Sequence, residues 1–303
     1  MTATRKSEAL RDESTTLPGG VLPLPGPHLD STAHIMNRIT SQLATQLSLV
    51  SLDGRRRTEP PALVLVAHGS RDPRTLRTVH TLVERVRELR PGLPVRLGHI
   101  ELNEPLLPDT LASLGTGEAV LVPLLLSRGY HVKRDIPEMA DACAARTRVA
   151  TPLGPHPLLV EALHGRLVEA GWRTTMDEAT RRASAVVLAA AGSRDPDSAV
   201  DTGRTAHLLS ERLGVPVVPA YASAATPTVE TAVRALAARG RHRVAVASYF
   251  TAPGLFATQS AQKAPWIASA PLGTHPAMAR LLLHRYDQSL ATPVTTEPQL
   301  ASA

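Results

Sequence analysis

Only one cysteine, Cys143, occurs among the 303 residues of the chain, and only 3% of the residues are aromatic. A single thiol excludes a framework of intrachain disulfides and is typical of proteins of the reducing cytoplasm, where we expect this chain to reside. A membrane-spanning helix needs about 20 apolar residues, and no run in the sequence approaches that length. No apolar core of a signal peptide follows the charged start of the chain. We therefore expect no association with a membrane.

The sequence also lacks the glycine patterns of nucleotide sites. No G-x-G-x-x-G pattern opens a helix after an apolar strand, and no Walker A motif is present. The Ala-Gly-Ser at 191–193 is not part of a G-x-S-x-G nucleophile elbow. The sequence therefore predicts neither a nucleotide cofactor nor a serine nucleophile.

Basic residues outnumber acidic ones, 33 to 27, which gives a net charge of +6 and an isoelectric point of about 10.1. This excess is compatible with an anionic partner. Nucleic acid is one candidate, and such binding would weaken steeply with salt. The low aromatic content and the lack of a zinc-finger, basic-zipper or RNA-recognition motif argue against it. We predict that nucleic acid is not a partner.

The chain contains the same segment twice. Residues 63–73 read LVLVAHGSRDP and residues 186–196 read VVLAAAGSRDP, so that His68 corresponds to Ala191. A feature that both copies keep is interpreted as structural. A feature that one copy keeps is interpreted as functional.

Two shared features are predicted to start helices. Asp72 and Asp195 each precede a proline, which is the pattern of an N-cap followed by proline in the first turn. His156 and His275 also each precede a proline in both copies. Since both copies keep them, we predict that these two histidines cap helices and take no part in chemistry.

From residue 61 the chain alternates short apolar runs with helical patterns, which is typical of βαβ units and parallel sheets. We predict an α/β fold of two similar subdomains, each with a roughly four-stranded parallel sheet flanked by helices, with a cleft between them. The predicted strands are 62–67, 95–100, 118–125, 148–152, 185–190, 216–221, 243–249 and 266–270. The predicted helices are 73–90, 105–114, 134–146, 157–171, 198–213, 227–239 and 275–288.

The length of the chain allows two domains of ordinary size. We predict a disordered extension at 1–60, because this stretch is rich in Pro, Gly, Ser and Thr and has no sustained core pattern. The first repeat, which carries the site, is predicted at 61–172. A linker at 173–184, a degenerate second repeat at 185–290 and a tail at 291–303 complete the chain.

Three residues with metal-binding side chains follow three successive predicted strands of the first half. They are His68, Glu101 and His131. In open parallel sheets, ligands bind at the carboxyl ends of the strands, where neighbouring side chains can converge. Two imidazoles and a carboxylate suit a first-row divalent metal ion and leave positions open for a substrate.

Each of these residues also has an ordinary structural explanation, as a polar loop residue or as a charge beside a helix. The second half favours the functional interpretation, because its equivalent positions hold Ala191, Ser223 and Phe256. Joint loss from one copy indicates a joint function. We therefore predict one site, in the first half.

These motifs resemble those of the sirohydrochlorin chelatases, ATP-independent enzymes that insert Fe²⁺ or Co²⁺ into sirohydrochlorin. The matching segments are AHGSRD at 67–72, IELNEP at 100–105 and VPLLLSRGYHVKRDIP at 122–137. The resemblance covers about residues 61–290, in the long two-repeat form of the family. It implies a lyase-type chelatase of siroheme or cobalamin synthesis, with Fe²⁺ slightly favoured over Co²⁺. The metal is then a substrate, and no permanent cofactor is expected.

The resemblance also implies roles for single residues. In that family the histidines of AHGS and of GYHVKxDIP bind the metal, and the acidic residue of the second segment lies beside it. Carried over, His68, His131 and Glu101 are the catalytic and metal-binding residues. The common pattern begins the acidic segment with Phe-Leu-Glu, whereas this chain has His99 and Ile100 before the glutamate. The second half is expected to be a lid or scaffold.

The implied partner is an anionic tetrapyrrole with many carboxylates. Four basic residues near the motifs could bind those carboxylates or could form a solvated rim: Arg71, Arg128, Lys133 and Arg134. A different class of function is a carrier that binds metal or tetrapyrrole without turnover. A third is a nucleic-acid-binding protein that uses the basic surface.

Overall fold

The first repeat alternates strands and helices. A computed structural model describes residues 59–292. Most of the predicted extension and nearly all of the predicted tail lie outside the described residues. The elements of the first repeat are β1 (Ala62–Ala67), α1 (Pro73–Leu89), β2 (Val95–His99), α2 (Leu107–Ala112), β3 (Glu118–Pro123), a π-helix (His131–Asp135), α3 (Ile136–Asp141), β4 (Arg146–Val149) and α4 (Pro157–Glu169).

The second repeat follows the same plan after one additional short helix. Its elements are α5 (Glu178–Ala183), β5 (Ser184–Ala190), α6 (Pro196–Leu213), β6 (Val217–Tyr221), α7 (Val229–Ala237), β7 (Arg243–Tyr249), α8 (Leu255–Ala261), β8 (Ile267–Ala268) and α9 (Pro276–Ala291). No helix within residues 59–292 is both long and apolar enough to cross a membrane.

Two parallel four-stranded sheets form the centre of the protein. Their strand orders are β2-β1-β3-β4 and β6-β5-β7-β8, so the first strand of each repeat is central in its sheet. All strand pairs are parallel, which directs their carboxyl ends to one edge of each sheet. The predicted fold class, two similar parallel α/β subdomains, is confirmed.

Four helices start at the caps that the sequence predicts, whereas α8 was not predicted. Asp72 accepts a hydrogen bond from the backbone of α1, and Asp195 does the same for α6. His156 caps α4 through Nδ1, which accepts from the backbone N–H of Leu158 at 3.1 Å. His275 caps α9 in the same way. The prediction that both histidines are structural caps is confirmed.

The predicted helix at 134–146 is wrong in its extent. A π-helix occupies 131–135 and α3 ends at Asp141, because residues 146–149 pair with β3 and must be extended. The predicted strand 148–152 consequently begins two residues too late. The stretch predicted as a linker, 173–184, contains α5, whose N-cap is Asp177.

One large apolar core joins the two repeats. It contains residues of α1 and α4 together with residues of α6 and α9. The last helix, α9, packs against α1, α4 and β3 of the first repeat. Its Tyr286 hydroxyl donates to the carbonyl of Pro61 at 2.6 Å, and Nη2 of Arg285 donates to the carbonyl of Leu153 at 3.0 Å. This shared core fixes the position of one sheet relative to the other.

Candidate active site

A glycine turn brings the ends of β1 and β2 together. Gly69 has a φ of +106°, and a Cβ added there would clash with the carbonyl oxygen of Glu101. The backbone N–H of Glu101 donates to the carbonyl of His68 at 3.0 Å. Only glycine combines this conformation with so close an approach. The turn therefore places Glu101 directly beside His68.

The second repeat has the same turn without the functional side chains. Gly192 has a φ of +93° and lies against the carbonyl of Ser223. The backbone N–H of Ser223 donates to the carbonyl of Ala191 at 2.9 Å. Ala191 and Ser223 thus occupy the places of the histidine and the glutamate, and the scaffold persists where the donors are absent.

His68 contacts both of the other predicted ligands. Its Nδ1 lies 3.4 Å from Oε1 of Glu101, but this buried nitrogen makes no hydrogen bond. The ring of His131 stands edge-on to the ring of His68, with 4.6 Å between the centroids and 85° between the planes. Hence His68 lies between an imidazole and a carboxylate.

His131 occupies the first position of the π-helix, and its ring forms a hydrogen bond with Asp135. Nδ1 of His131 lies 2.5 Å from Oδ2 of Asp135. A carboxylate can only accept, so Nδ1 carries the proton and Nε2 presents its lone pair. This carboxylate–histidine pairing is the arrangement that orients metal-binding imidazoles in proteins. Asp135 is a site residue that the sequence reasoning missed, although it lies within the GYHVKRDIP segment.

The three predicted ligands are neighbours, but their side chains do not converge on a single metal position. Within residues 59–292, no group of three or more His, Cys, Asp or Glu side chains is placed to hold a metal ion. The Glu101 side chain is 53% exposed and His68 is 42% exposed. Both side chains are therefore only partly enclosed by the rest of the protein.

His68 and His131 face a cleft between the two repeats, and Glu101 lies beside His68 outside the lining of that cleft. Two adjoining cavities, of about 420 and 600 Å³, make up the cleft, and His68 lines both. His131 lies in the smaller cavity with Tyr249, whereas Arg71 lies in the larger. The predicted cleft is therefore present, at the carboxyl ends of both sheets.

The second repeat supplies the opposite wall of this cleft. Ala191, Phe250 and Phe256 line both cavities. Phe256 occupies the place that the sequence comparison assigned to a counterpart of His131, and its side chain is exposed. An aromatic wall across from two imidazoles suits a flat, largely apolar ligand.

Two of the four basic residues near the motifs are already paired. Arg128 forms a salt bridge with Asp201 at 2.7 Å, and this bond raises the pKa of the guanidinium. Lys133 pairs with Asp195 and Asp197 at 2.7 and 2.8 Å, and hydrogen bonding to Asp195 raises its pKa. Their charges are therefore largely neutralised by the second repeat.

The other two, Arg71 and Arg134, are exposed, and neither forms an ion pair within residues 59–292. Arg71 lines the larger cavity. The assignment of all four residues to substrate carboxylates stays a prediction, and the geometry favours Arg71 among them.

Comparison with known protein families identifies the family of this chain. The model of the CbiX family matches residues 62–170 and again residues 185–289, so it covers both repeats. The chain belongs to the CbiX family.

Relatives of this CbiX-family chain are named as chelatases. It is 38% identical over 81 residues to a sirohydrochlorin cobaltochelatase of Methanococcus aeolicus, across 26% of this chain and 57% of that protein. It is 30% identical over 176 residues to the sirohydrochlorin ferrochelatase of Bacillus subtilis, across 55% of this chain and 64% of that protein. The chain thus spans less than two thirds of the length of these relatives.

Solved structures share the fold. SirB from Bacillus subtilis with Fe³⁺ superposes with a TM-score of 0.62 at 24% identity, across 76% of this chain and 96% of that one. CbiX described as the terminal enzyme for siroheme biosynthesis in denitrifying bacteria gives a TM-score of 0.58 at 20% identity, with 76% and 100% covered. At these identities the likeness establishes the two-repeat architecture.

His99, the departure from the common Phe-Leu-Glu pattern, is buried at the floor of the larger cavity. Among the described residues it is the histidine with the lowest exposure, at 1%. Nδ1 lies 3.2 Å from the carbonyl oxygen of Pro105, and Nε2 is buried without a partner. Burial lowers the pKa of this imidazole, which favours the neutral form.

Proposed function

We propose that this CbiX-family protein is a sirohydrochlorin chelatase, which inserts a divalent metal ion into sirohydrochlorin during synthesis of siroheme or cobalamin. The single observation that carries the proposal is the pair of facing imidazoles, His68 and His131, at the junction of a two-part cleft. The names of its relatives, ferrochelatase and cobaltochelatase, agree with this chemistry. The proposal favours Fe²⁺ only slightly over Co²⁺, since both ions accept nitrogen and carboxylate ligands.

The residues of the site match the demands of metal insertion. The reaction needs a partly desolvated metal ion, removal of two pyrrole protons, and a macrocycle that presents its nitrogens to the ion. Neutral imidazoles of His68 and His131 can hold the ion as a labile substrate, with Asp135 orienting the second. Glu101, beside His68, can accept a proton. Phe256 can pack against the face of the macrocycle.

Other parts of the proposal follow from this chemistry. We propose that the metal ion is a substrate and that no permanent cofactor or nucleotide is required. The partner is an anionic tetrapyrrole, and Arg71 is positioned to meet one of its carboxylates at the larger cavity. The cytoplasm is the proposed location, because a single cysteine suits a reducing compartment.

An anaerobic insertion assay tests the proposal. Purified protein is mixed with sirohydrochlorin and either Fe²⁺ or Co²⁺, and the absorption spectrum is followed against the uncatalysed rate. We expect acceleration with both ions and a higher rate with Fe²⁺. No acceleration with either ion would contradict the enzyme, and tight binding of sirohydrochlorin without turnover would identify a carrier instead.

Matched histidine variants locate the reaction. We expect His68→Ala to lower the insertion rate at least about 100-fold, because it removes a group that touches the metal. His275→Ala removes a helix cap that does not line the cleft, and it should lower thermal stability while leaving most of the turnover. Equal losses of activity in the two folded variants would contradict a single site in the first repeat.

A further inference from the structure

The loop that leads from β3 to His131 is held by the second repeat. The backbone N–H of Arg128 donates to Oδ2 of Asp201 at 2.9 Å. Nε and Nη2 of the Arg128 guanidinium donate to the same carboxylate at 3.0 and 2.7 Å. The Asp201 side chain is only 2% exposed. One buried carboxylate in α6 thus receives three donors from a single residue of the other repeat.

The two residues before Arg128 also form hydrogen bonds with the second repeat. Ser127 Oγ lies 2.9 Å from Oγ of Ser198. The Tyr249 hydroxyl donates to the carbonyl of Leu126 at 2.9 Å. Burial raises the pKa of Tyr249, so this hydroxyl remains a donor. We call Ser198, Asp201 and Tyr249 the loop anchor, since they bind three consecutive residues, 126–128.

The spacing in α6 explains how the loop anchor is built. Ser198, Asp201 and Thr205 are separated by three and four positions, so they share one helix face. All three are buried, together with Thr202. Thr205 Oγ1 in turn lies 3.2 Å from the Tyr249 hydroxyl. Buried polar side chains are costly without partners. The loop from the first repeat supplies partners for Ser198 and Asp201, whereas Thr202 and Thr205 donate to backbone carbonyls within α6.

The Arg128–Asp201 pair is bidentate, and its carboxylate is buried at 2% exposure while the arginine side chain is 38% exposed. The fork of the guanidinium fixes both the distance and the plane of the pair. His131 follows Arg128 by three residues, and the backbone N–H of Lys133 donates to the carbonyl of Gly129 at 3.0 Å. The start of the π-helix that carries His131 is therefore continuous with the anchored loop.

We propose that Asp201 is a positioning residue, which acts from the degenerate repeat to set the location of His131 relative to His68. The inference rests on the proposed function, because it gives the second repeat a task in holding the metal substrate. In the second repeat, Ala191 and Ser223 occupy the positions at which the first repeat has donor side chains. The second repeat nevertheless sets the position of one donor in the first repeat. Asp201 itself lines neither cavity of the cleft, so its proposed role is to position and not to bind.

The first test is a Co²⁺ titration of the full chain without sirohydrochlorin, followed by visible absorption and calorimetry. For Asp201→Asn we expect the Kd for Co²⁺ to rise about 10- to 100-fold, the range found when residues that orient metal ligands are changed. His131→Ala sets the upper limit of the loss. In the insertion assay, KM for the metal should rise while KM for sirohydrochlorin changes little, a split that general destabilisation would not produce.

The matched control is Asp287→Asn. Arg90 and Asp287 also form a two-bond pair between the repeats, at 2.5 and 2.8 Å, but their side chains are 40% and 50% exposed and α9 carries the aspartate away from the loop. We expect Co²⁺ affinity within twofold of the unmodified protein, because exposed pairs contribute little. A loss as large as that of Asp201→Asn would show a general effect of the interface and overturn the proposal.

Two further outcomes are decisive. Folded Asp201→Asn protein with the original Co²⁺ affinity and metal KM would overturn the proposal. If Asp201→Asn does not fold, Tyr249→Phe removes one neutral contact of the loop anchor, and we expect a smaller loss of Co²⁺ affinity; unchanged affinity would overturn the proposal. If the unmodified protein lacks chelatase activity, the proposed function fails, and the Co²⁺ titration still tests Asp201.

Discussion

Histidines of this chain differ in role according to what binds their nitrogens. In His156, Nδ1 accepts from a helix backbone, so this ring closes a helix. In His131, Nδ1 donates to Asp135 and leaves Nε2 as a lone-pair donor beside His68. The ring of His68 is the common neighbour of Glu101 and His131. The partner of Nδ1 therefore distinguishes the helix cap His156 from the candidate ligand His131.

The Asp135 contact gives a prediction at this scale. Asp135→Asn removes the charge that fixes the tautomer and orientation of His131, so we expect Co²⁺ affinity to fall about 10- to 100-fold. Absorption titration at pH 7.5 measures the change. Asp141→Asn, at an exposed position at the end of α3, is the control. Unchanged affinity in the Asp135 variant would show that His131 is oriented without this bond.

At the level of helices and strands, the sequence and the structure agree best at the capped starts of helices. Each repeat starts its first helix with Asp-Pro and its last with His-Pro, and all four caps accept a backbone hydrogen bond. Such capping is a local interaction between residues two apart, so the printed sequence contains all of it. The short helix α3 differs, because its end depends on strand pairing by residues 146–149.

The cap of α4 predicts a pH dependence. Burial, with help from Arg285 and His284, lowers the pKa of His156 from 6.5 to about 4. The unfolded chain therefore binds this proton more readily, and the free energy of unfolding should fall as the pH decreases from 6.5 towards about 4. Below that window the folded state is protonated too, and this contribution stops changing.

Two variants of His156 separate the cap from the proton. His156→Asn keeps an acceptor at the N-cap, so stability at pH 8 should be retained and the decrease between pH 6.5 and 4 should become shallower. His156→Ala should lose about 1 kcal/mol at pH 8, because the cap is absent. Urea unfolding at pH 8, 6 and 5 measures both. An unchanged slope in His156→Asn would assign the acid sensitivity to other groups.

At the scale of the whole molecule, the two repeats form one cleft from unequal contributions. The first repeat supplies His68 and His131, and the second supplies Phe256, Ser198 and Tyr249. The shared core of α1, α4, α6 and α9 keeps these contributions in register. A duplicated scaffold can thus lose the donors of one copy and still require that copy for the site.

The N-terminal extension gives a prediction for the whole chain. All candidate donors and every residue of the loop anchor lie within residues 59–292. We therefore expect a variant that lacks residues 1–55 to retain the insertion rate and the Co²⁺ affinity of the full chain. The same assay and titration compare the two proteins. A fall in turnover of more than about tenfold, which is 1.4 kcal/mol in the barrier, would assign this segment a role in the reaction.

The sequence by itself determined the duplicated parallel α/β fold, the helix caps and the half that holds the candidate donors, because apolar periodicity, capping and the paired motifs are all local signals. The tertiary structure alone decided which charges are available. Arg128 and Lys133 face Asp201 and Asp195, partners more than sixty residues away. No local pattern encodes such pairing, since it depends on how α6 packs beside the loop that precedes His131. For the same reason, only the folded chain assigns the second repeat its contact with the candidate site.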